Sequence, residues 1–291
     1  MTDSTPAPRS DDEHPVDRVG EATIHRLIDR EHDLLVMRAD FGPLFAAYLD
    51  HVRRWETEPD DLSQTFMRQG LGAAALHLAA RPDGETVGFT INVHHPATNV
   101  FLTGDNTECT VVGRVFTKDV KPSDESRIFV QSSRLGATPI QSVVQVEGLD
   151  ILQIFEQYWD RSEQATARFV EIDDAHFAML LALPEADDEW LKGLSRDQAL
   201  GIVDDELKSL GRRVYRFLCG CNPDRMMELV RGLFEKDPEE LFRGDPGVEI
   251  LCPRCGRRWW LDRAEFDAAT DAELDAAADA ASGDDPASPE D

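Results

Sequence analysis

Cys219-Gly220-Cys221 and Cys252-Pro253-Arg254-Cys255 are two close thiol pairs separated by thirty residues, and no other feature limits this chain's fold so tightly. Two such pairs on one small supersecondary unit can converge on a tetrahedral zinc ion with sulfur bonds of about 2.3 Å. Pro253 stiffens the second loop, and Gly256 allows the tight backbone that turns amides toward sulfur. Asn222 and Pro223 supply an N-cap and a first helical position for an intervening helix, with Met226, Met227, Leu229, Val230, Leu233 and Phe234 as its apolar stripe. Asp237-Pro238 opens a second short helix, and residues 248–251 and 257–261 read as the arms of a hairpin around the second pair. A unit of about 50 residues sits below the length at which a core alone is comfortable. Structural zinc supplies on the order of 10–16 kcal/mol of apparent folding free energy, so the metal would decide whether this unit folds. Four inert buried thiols, or a redox dithiol without metal, are the competing readings.

Oxidation bears on the same sulfurs. Zinc holds cysteine as thiolate, the form that oxidants attack. Peroxide or hypochlorous acid could convert the pairs to disulfides, release the metal and melt the unit. Four thiolates close the coordination sphere and leave no position for a water nucleophile, so an enzyme is not expected here.

The chain carries 57 acidic against 30 basic residues, a formal charge of −27, which argues against a nucleic-acid partner. Residues 262–291 alone hold eleven acids and one base. Residues 1–20 lack the apolar core of a signal peptide, and the most apolar runs, Leu71–Ala80 and Phe177–Leu183, are too short to span a bilayer. The expectation is a cytoplasmic protein without a membrane partner.

Along the chain, residues 1–23 read as a disordered arm. Residues 24–184 read as one α+β domain with helices near 44–55, 62–80 and 150–159. Its strands fall near 34–37, 86–93, 99–103, 110–116, 127–132, 141–146, 167–172 and 177–183, with period-two patterning and turn residues between them. Residues 185–214 read as a helical linker: Ser195-Arg196-Asp197-Gln198 is a capping box, and Leu200, Val203, Leu207 and Leu210 share one face. Permanent packing of that face on the first domain is the favoured expectation, conditional packing the other. Residues 215–266 form the cysteine unit, and 267–291 an acidic, disordered tail that could keep bound complexes soluble. The expected fold class is therefore α+β: an N-terminal antiparallel sheet domain with helices, a helical linker and a small C-terminal zinc-binding module.

With these residues in view, the sequence resembles the 33-kilodalton heat-shock protein family, redox-regulated holdase chaperones. The two cysteine pairs lie at that family's separation. A second match runs through Gln141-Ser142-Val143-Val144, Val146-Glu147-Gly148 and Tyr158-Trp159-Asp160-Arg161-Ser162-Glu163-Gln164, and a third through Leu180-Leu181-Ala182-Leu183-Pro184. Ser142, His176-Phe177 and His94-His95-Pro96 depart from the glycines usual at those places. The resemblance implies zinc on Cys219, Cys221, Cys252 and Cys255 in an inactive monomer. It further implies oxidation to Cys219–Cys221 and Cys252–Cys255 disulfides, unfolding of module and linker, and an active dimer that holds unfolding client proteins without ATP. A zinc ribbon that binds or regulates without redox gating is the alternative, with Arg254, Arg257, Arg258 and Arg263 as its basic spot. A thiol oxidoreductase is the third.

Other constellations are weak. Gly70-Leu71-Gly72-Ala73-Ala74-Ala75 fits a dinucleotide fingerprint but sits inside a helix, where close packing explains it. His77 reads as a helix-face residue, His94 and His95 as turn residues, and Cys109 as a small buried hydrophobe in a strand.

Overall fold

The computed structural model describes residues 20–268. The acidic tail beyond 268 and the arm up to 19 lie outside the described residues. Two compact units divide the described chain: a larger one of residues 20–219 with 253–256, and a smaller one of 220–252 with 257–268.

The larger unit is built on one twisted sheet. Its strands are β1 (Glu21–Asp29), β2 (Leu34–Asp40), β3 (Glu85–Val93), β4 (Thr98–Asp105), β5 (Thr110–Phe116), β6 (Ser126–Arg134), β7 (Ile140–Val146), β8 (Ala167–Glu171), β9 (His176–Ala182) and β10 (Lys208–Phe217). They lie in the order β7-β6-β3-β4-β5-β10-β1-β2-β9-β8. Every pairing is antiparallel except β10 with β5, which is parallel and limited to Arg216 opposite Thr110 and Phe217 opposite Val111. On its other side β10 pairs with β1 from Arg216 opposite Glu21 to Lys208 opposite Ile28, across one bulge at Arg26/Leu27. A single strand therefore joins two halves of the sheet.

Helices cover the sheet. In α1 (Gly42–Arg54), Pro43 starts the helix and Leu44, Phe45, Ala47, Tyr48, His51 and Val52 turn inward. In α2 (Asp61–Ala80), the Asp60 carboxylate caps by accepting from Ser63 N at 2.8 Å. From Phe66 to Ala79 nearly every residue of α2 is buried, because it packs on β4, β5, β9 and on α3 (Ile151–Tyr158). The glycines at 70 and 72 allow that approach: a Cβ on Gly70 would lie 2.9 Å from Leu102 Cδ1 and one on Gly72 3.4 Å from Phe177. The dinucleotide-like motif is thus a packing seam inside a helix.

Three features of the larger unit depart from the sequence expectation. β1 begins at Glu21, inside the stretch read as an arm, and its alternating burial through Ala22 and Ile24 makes it a true strand. Residues 208–217 are strand rather than helix. Asp204 closes the preceding helix, Leu207 and Leu210 only mimic its spacing, and Arg213-Val214-Tyr215-Arg216-Phe217 alternates with period two. Cys109 is half-buried and left-handed (φ 52°), at the turn before β5 rather than within a strand.

A π-helical turn, Trp159–Glu163, follows α3 and ends with Gln164 in the left-handed region at φ 55°. It delivers Glu163 to Tyr158 Oη (2.5 Å) and to Arg81 Nη1 (2.6 Å), while Arg81 grips Glu85 through two bonds of 3.1 and 3.0 Å. Burial alone would raise the Glu85 carboxyl, but hydrogen bonds from Arg81, Ser132 and Arg134 outweigh it and bring its pKa down to about 2. The Tyr158–Gln164 segment is thereby a structural brace between α2, α3 and β3.

The linker consists of α4 (Asp188–Gly193) and α5 (Arg196–Asp204), the latter opened by the expected Ser195/Gln198 capping box. Its apolar face is covered: Leu191, Leu194, Ala199 and Val203 share one core with Leu27, Leu34, Val36, Val170, Ala178 and Leu180 of the sheet. Polar fasteners ring that core. Arg168 Nη1 donates to the carbonyls of Leu191, Lys192 and Leu194, Arg196 donates to those of Glu171 and Ile172, and Arg38 donates to that of Val203. His32 stacks on Trp190 with ring centroids 4.3 Å apart.

The smaller unit comprises α6 (Pro223–Lys236), α7 (Pro238–Phe242) and the hairpin β11 (Gly247–Leu251) and β12 (Arg258–Asp262). Asn222 caps α6 by accepting from Arg225 N at 2.9 Å. Its apolar centre is a triad of rings, Phe234, Phe242 and Phe266, with centroids 4.9–6.0 Å apart. Leu229 and Leu233 of α6 remain 59% and 41% exposed, so this core is thin.

Two predictions follow from burial. Leu191→Ala should cost about 2–5 kcal/mol of stability by urea denaturation, as for other buried leucines. His77, fully enclosed beside Phe89, Tyr158 and Trp159, has its pKa lowered to about 3, first by burial and then by Arg81, against a smaller opposing pull from Glu85. An unfolded histidine titrates near 6.5. Stability from keeping His77 neutral is therefore complete above that pH and falls as pH drops toward 3. By pH 5 the loss should reach about 2 kcal/mol, and His77→Leu should flatten that slope in urea midpoints.

Candidate metal centre

β10 runs into the first cysteine pair, since Cys219 follows Phe217 by two residues. The second pair straddles the turn between β11 and β12, where Cys252 N donates to Arg257 O at 2.8 Å. Gly256 sits at φ +80°, a conformation that the knuckle needs and that side chains disfavour. One sulfur from each of Cys219, Cys221, Cys252 and Cys255 lies within 4.8 Å of all the others. Bonds of about 2.3 Å in a tetrahedron put sulfurs about 3.8 Å apart, so this donor set fits a four-coordinate metal. Cys252 and Cys255 are buried, Cys219 and Cys221 partly so.

Within the larger unit, the knuckle at 253–256 is tied to α1. His51, buried in α1, places Nε2 3.0 Å from Cys255 O, and because a carbonyl only accepts, that nitrogen carries the proton. The His51 ring also meets the Phe217 ring edge-on at 5.6 Å. The sequence offered no signal for His51, which looks like one more polar residue near a helix end. Arg254 donates to Thr103 Oγ1 at 3.3 Å.

The remaining arginines of the basic spot are engaged inside the smaller unit. Arg257 lies over the Trp259 ring at 4.3 Å, Arg258 pairs with Glu249 at 3.3 Å and Arg263 with Glu239 at 2.6 Å. They form no common patch of unpaired cations. His77 is far from ligand chemistry, packed among aromatic rings, and His94 and His95 lie in the β3–β4 turn. Among the described residues, no helix is long and apolar enough to cross a membrane.

Sheet core, docked linker and four converging thiols define a protein with a thiol cluster that could hold a metal ion after an α+β domain. The family model described as Hsp33 protein matches residues 170–262. Curated relatives include the 33 kDa chaperonin of Chromobacterium violaceum, 30% identical over 161 residues, or 47% of this chain and 54% of that protein. That of Nitrosococcus oceani is 24% identical over 156 residues, or 45% and 53%. The matches thus span about half the length of these relatives. The solved 33 kDa chaperonin of Thermotoga maritima shares the fold, with a TM-score of 0.63 at 17% identity over 88% of this chain and 99% of that one. Family model, curated relatives and fold agree: the family this chain resembles is Hsp33.

Cobalt(II) added to the metal-free protein should produce sulfur-to-metal charge-transfer absorption and the visible bands of a tetrahedral site. Cys252→Ala should abolish the tetrahedral signature, and an unchanged spectrum would remove Cys252 from the ligand set.

Proposed function

We propose that this chain is a redox-regulated, ATP-independent holdase chaperone of the cytoplasm, gated by zinc on Cys219, Cys221, Cys252 and Cys255. The observation that carries this reading is the convergence of those four sulfurs, two of them in a smaller unit whose buried core is a handful of side chains, chiefly Phe234, Phe242 and Phe266 with Met226, Trp259 and Leu261. When bound, zinc supplies the cross-link that such a core lacks and keeps the sulfurs as thiolates.

Oxidation by peroxide joins Cys219 to Cys221 and Cys252 to Cys255, the pairing the family resemblance implies. Each disulfide delivers two electrons to one peroxide, which takes up two protons and leaves as two waters. Without thiolate ligands the metal departs, and the smaller unit loses its main support. Linker release then uncovers the sheet face built from Leu27, Leu34, Val36, Val170, Ala178 and Leu180, an apolar surface suited to unfolding clients. The active form is a homodimer, again by family resemblance. No catalytic residue is assigned.

The test measures zinc release and suppression of client aggregation together while peroxide is titrated. Both should rise on one curve and reverse with dithiol and zinc. Equal protection by the reduced, zinc-loaded and oxidised forms would leave a zinc ribbon without redox gating.

A further inference from the structure

β10 holds the two halves of the sheet together, yet few of its own side chains secure it. From Lys208 to Arg212 every residue is exposed, Gly211 sits at φ +131°, and contact with β5 is two residue pairs long. The grip lies at its end, on one face. Arg213, Tyr215 and Phe217 alternate inward, as residues i, i+2 and i+4 of a strand must. Arg213 donates to the carbonyls of Leu78 (3.1 Å) and Arg81 (2.7 Å), at the C-terminal end of α2, and to the Asp83 carboxylate (2.6 Å). Tyr215 is fully buried and its hydroxyl donates to Asn106 Oδ1 at 2.8 Å. Phe217 packs edge-on against Tyr48 and His51, both at 5.6 Å.

The structure therefore contains a slot with three side-chain receptors and a strand edge. Its backbone direction is also set. Phe217 N donates to Gly20 O, whereas Arg216 N donates to Cys109 O, so the amides of Tyr215 and Arg213 face β1 and that of Val214 faces β5. The strand that fills the slot is the one leading into Cys219.

We infer that β10 is a resident pseudo-client: once the cysteine centre is oxidised, the slot between β1 and β5 captures extended segments of unfolding polypeptides by strand addition, selecting a basic residue followed at alternate positions by two aromatics. The inference rests on the gating proposed above and specifies its substrate class. An exposed β1 edge offers a row of backbone donors and acceptors that pair with any extended chain. The acceptors vacated by Arg213 add charge selection, because two carbonyls and a carboxylate reward a cation and repel an acidic residue. The Tyr215 and Phe217 receptors add aromatic selection.

The probe is a fluorescent, end-blocked peptide of residues 208–217, followed by anisotropy against the full-length chain. It should bind the oxidised form at least about tenfold more tightly than the reduced, zinc-loaded form, in which β10 occupies the slot. Changing Arg213 to Glu or Tyr215 to Ala within the peptide should weaken binding at least about tenfold each, the scale of a lost charged hydrogen bond or buried ring. N-methylation at Tyr215 should abolish binding, while N-methylation at Val214 should leave it intact. The unmodified peptide should also displace reduced, carboxymethylated α-lactalbumin held by the oxidised chain. If the oxidised chain holds α-lactalbumin but the peptide fails to bind or to displace it, the inference is overturned and the gating stands. Equal effects of the two N-methyl groups overturn strand addition. An oxidised chain that does not hold α-lactalbumin overturns both.

Discussion

Four sulfurs within 4.8 Å of one another are the tightest chemical constraint near residues 220–268. Neutral thiols have little reason to crowd together, and thiolates repel unless a cation lies between them. The end of β10 and the turn of the β11–β12 hairpin carry them, and the smaller unit leaves leucines of α6 open to water. Local signals shape the pieces: Asn222 and Asp237 cap helices, and Gly256 bends the knuckle. On the function proposed above, a metal at the centre is what makes these pieces one body.

The cysteine unit was legible in the sequence because short-range chemistry specifies it. Caps, proline at first helical positions and knuckle glycine act over a few residues, and the observed α6, α7, β11 and β12 follow them closely. The meander from β3 to β7 was legible for a similar reason, since period-two patterning and turn residues alternate cleanly there. β10 was not. Its leucine spacing continues the preceding helix by coincidence, and its strand character arises from pairing with β1, nearly two hundred residues earlier in the chain. The π-helical turn after α3 was equally hidden, because its distinguishing bonds run from Glu163 to Arg81. Of the cysteine cluster and its neighbourhood, the four clustered cysteines could be named from spacing, whereas His51 could not, since its role is set by a carbonyl 204 positions away.

The favoured expectation for the linker was stable packing, and α4 and α5 do share a core with the sheet. Packing and conditional release are compatible. A buried face of this size contributes only a few side chains, and total stability in proteins is a small difference between large terms. What the structure adds is that Arg168 and Arg38 of the sheet fasten the linker through its backbone carbonyls, while Arg196 of the linker reaches back to carbonyls of β8 and the residue after it. The bonds from Arg168 and Arg38 tolerate sequence change in the linker, because the acceptor is present whatever the residue.

The reach of Arg168 has a further consequence. It bonds the carbonyls of Leu191, Lys192 and Leu194, at the end of a helix of six residues where Leu191 O also accepts from Leu194 N. Helices this short do not persist in water by themselves. The cap that completes α4 therefore belongs to another part of the chain, and coiling and attachment cannot be separated. A detached linker would be a random chain rather than a loose pair of helices, so detachment is all-or-none: no half-open intermediate is available in which apolar residues are exposed while secondary structure survives.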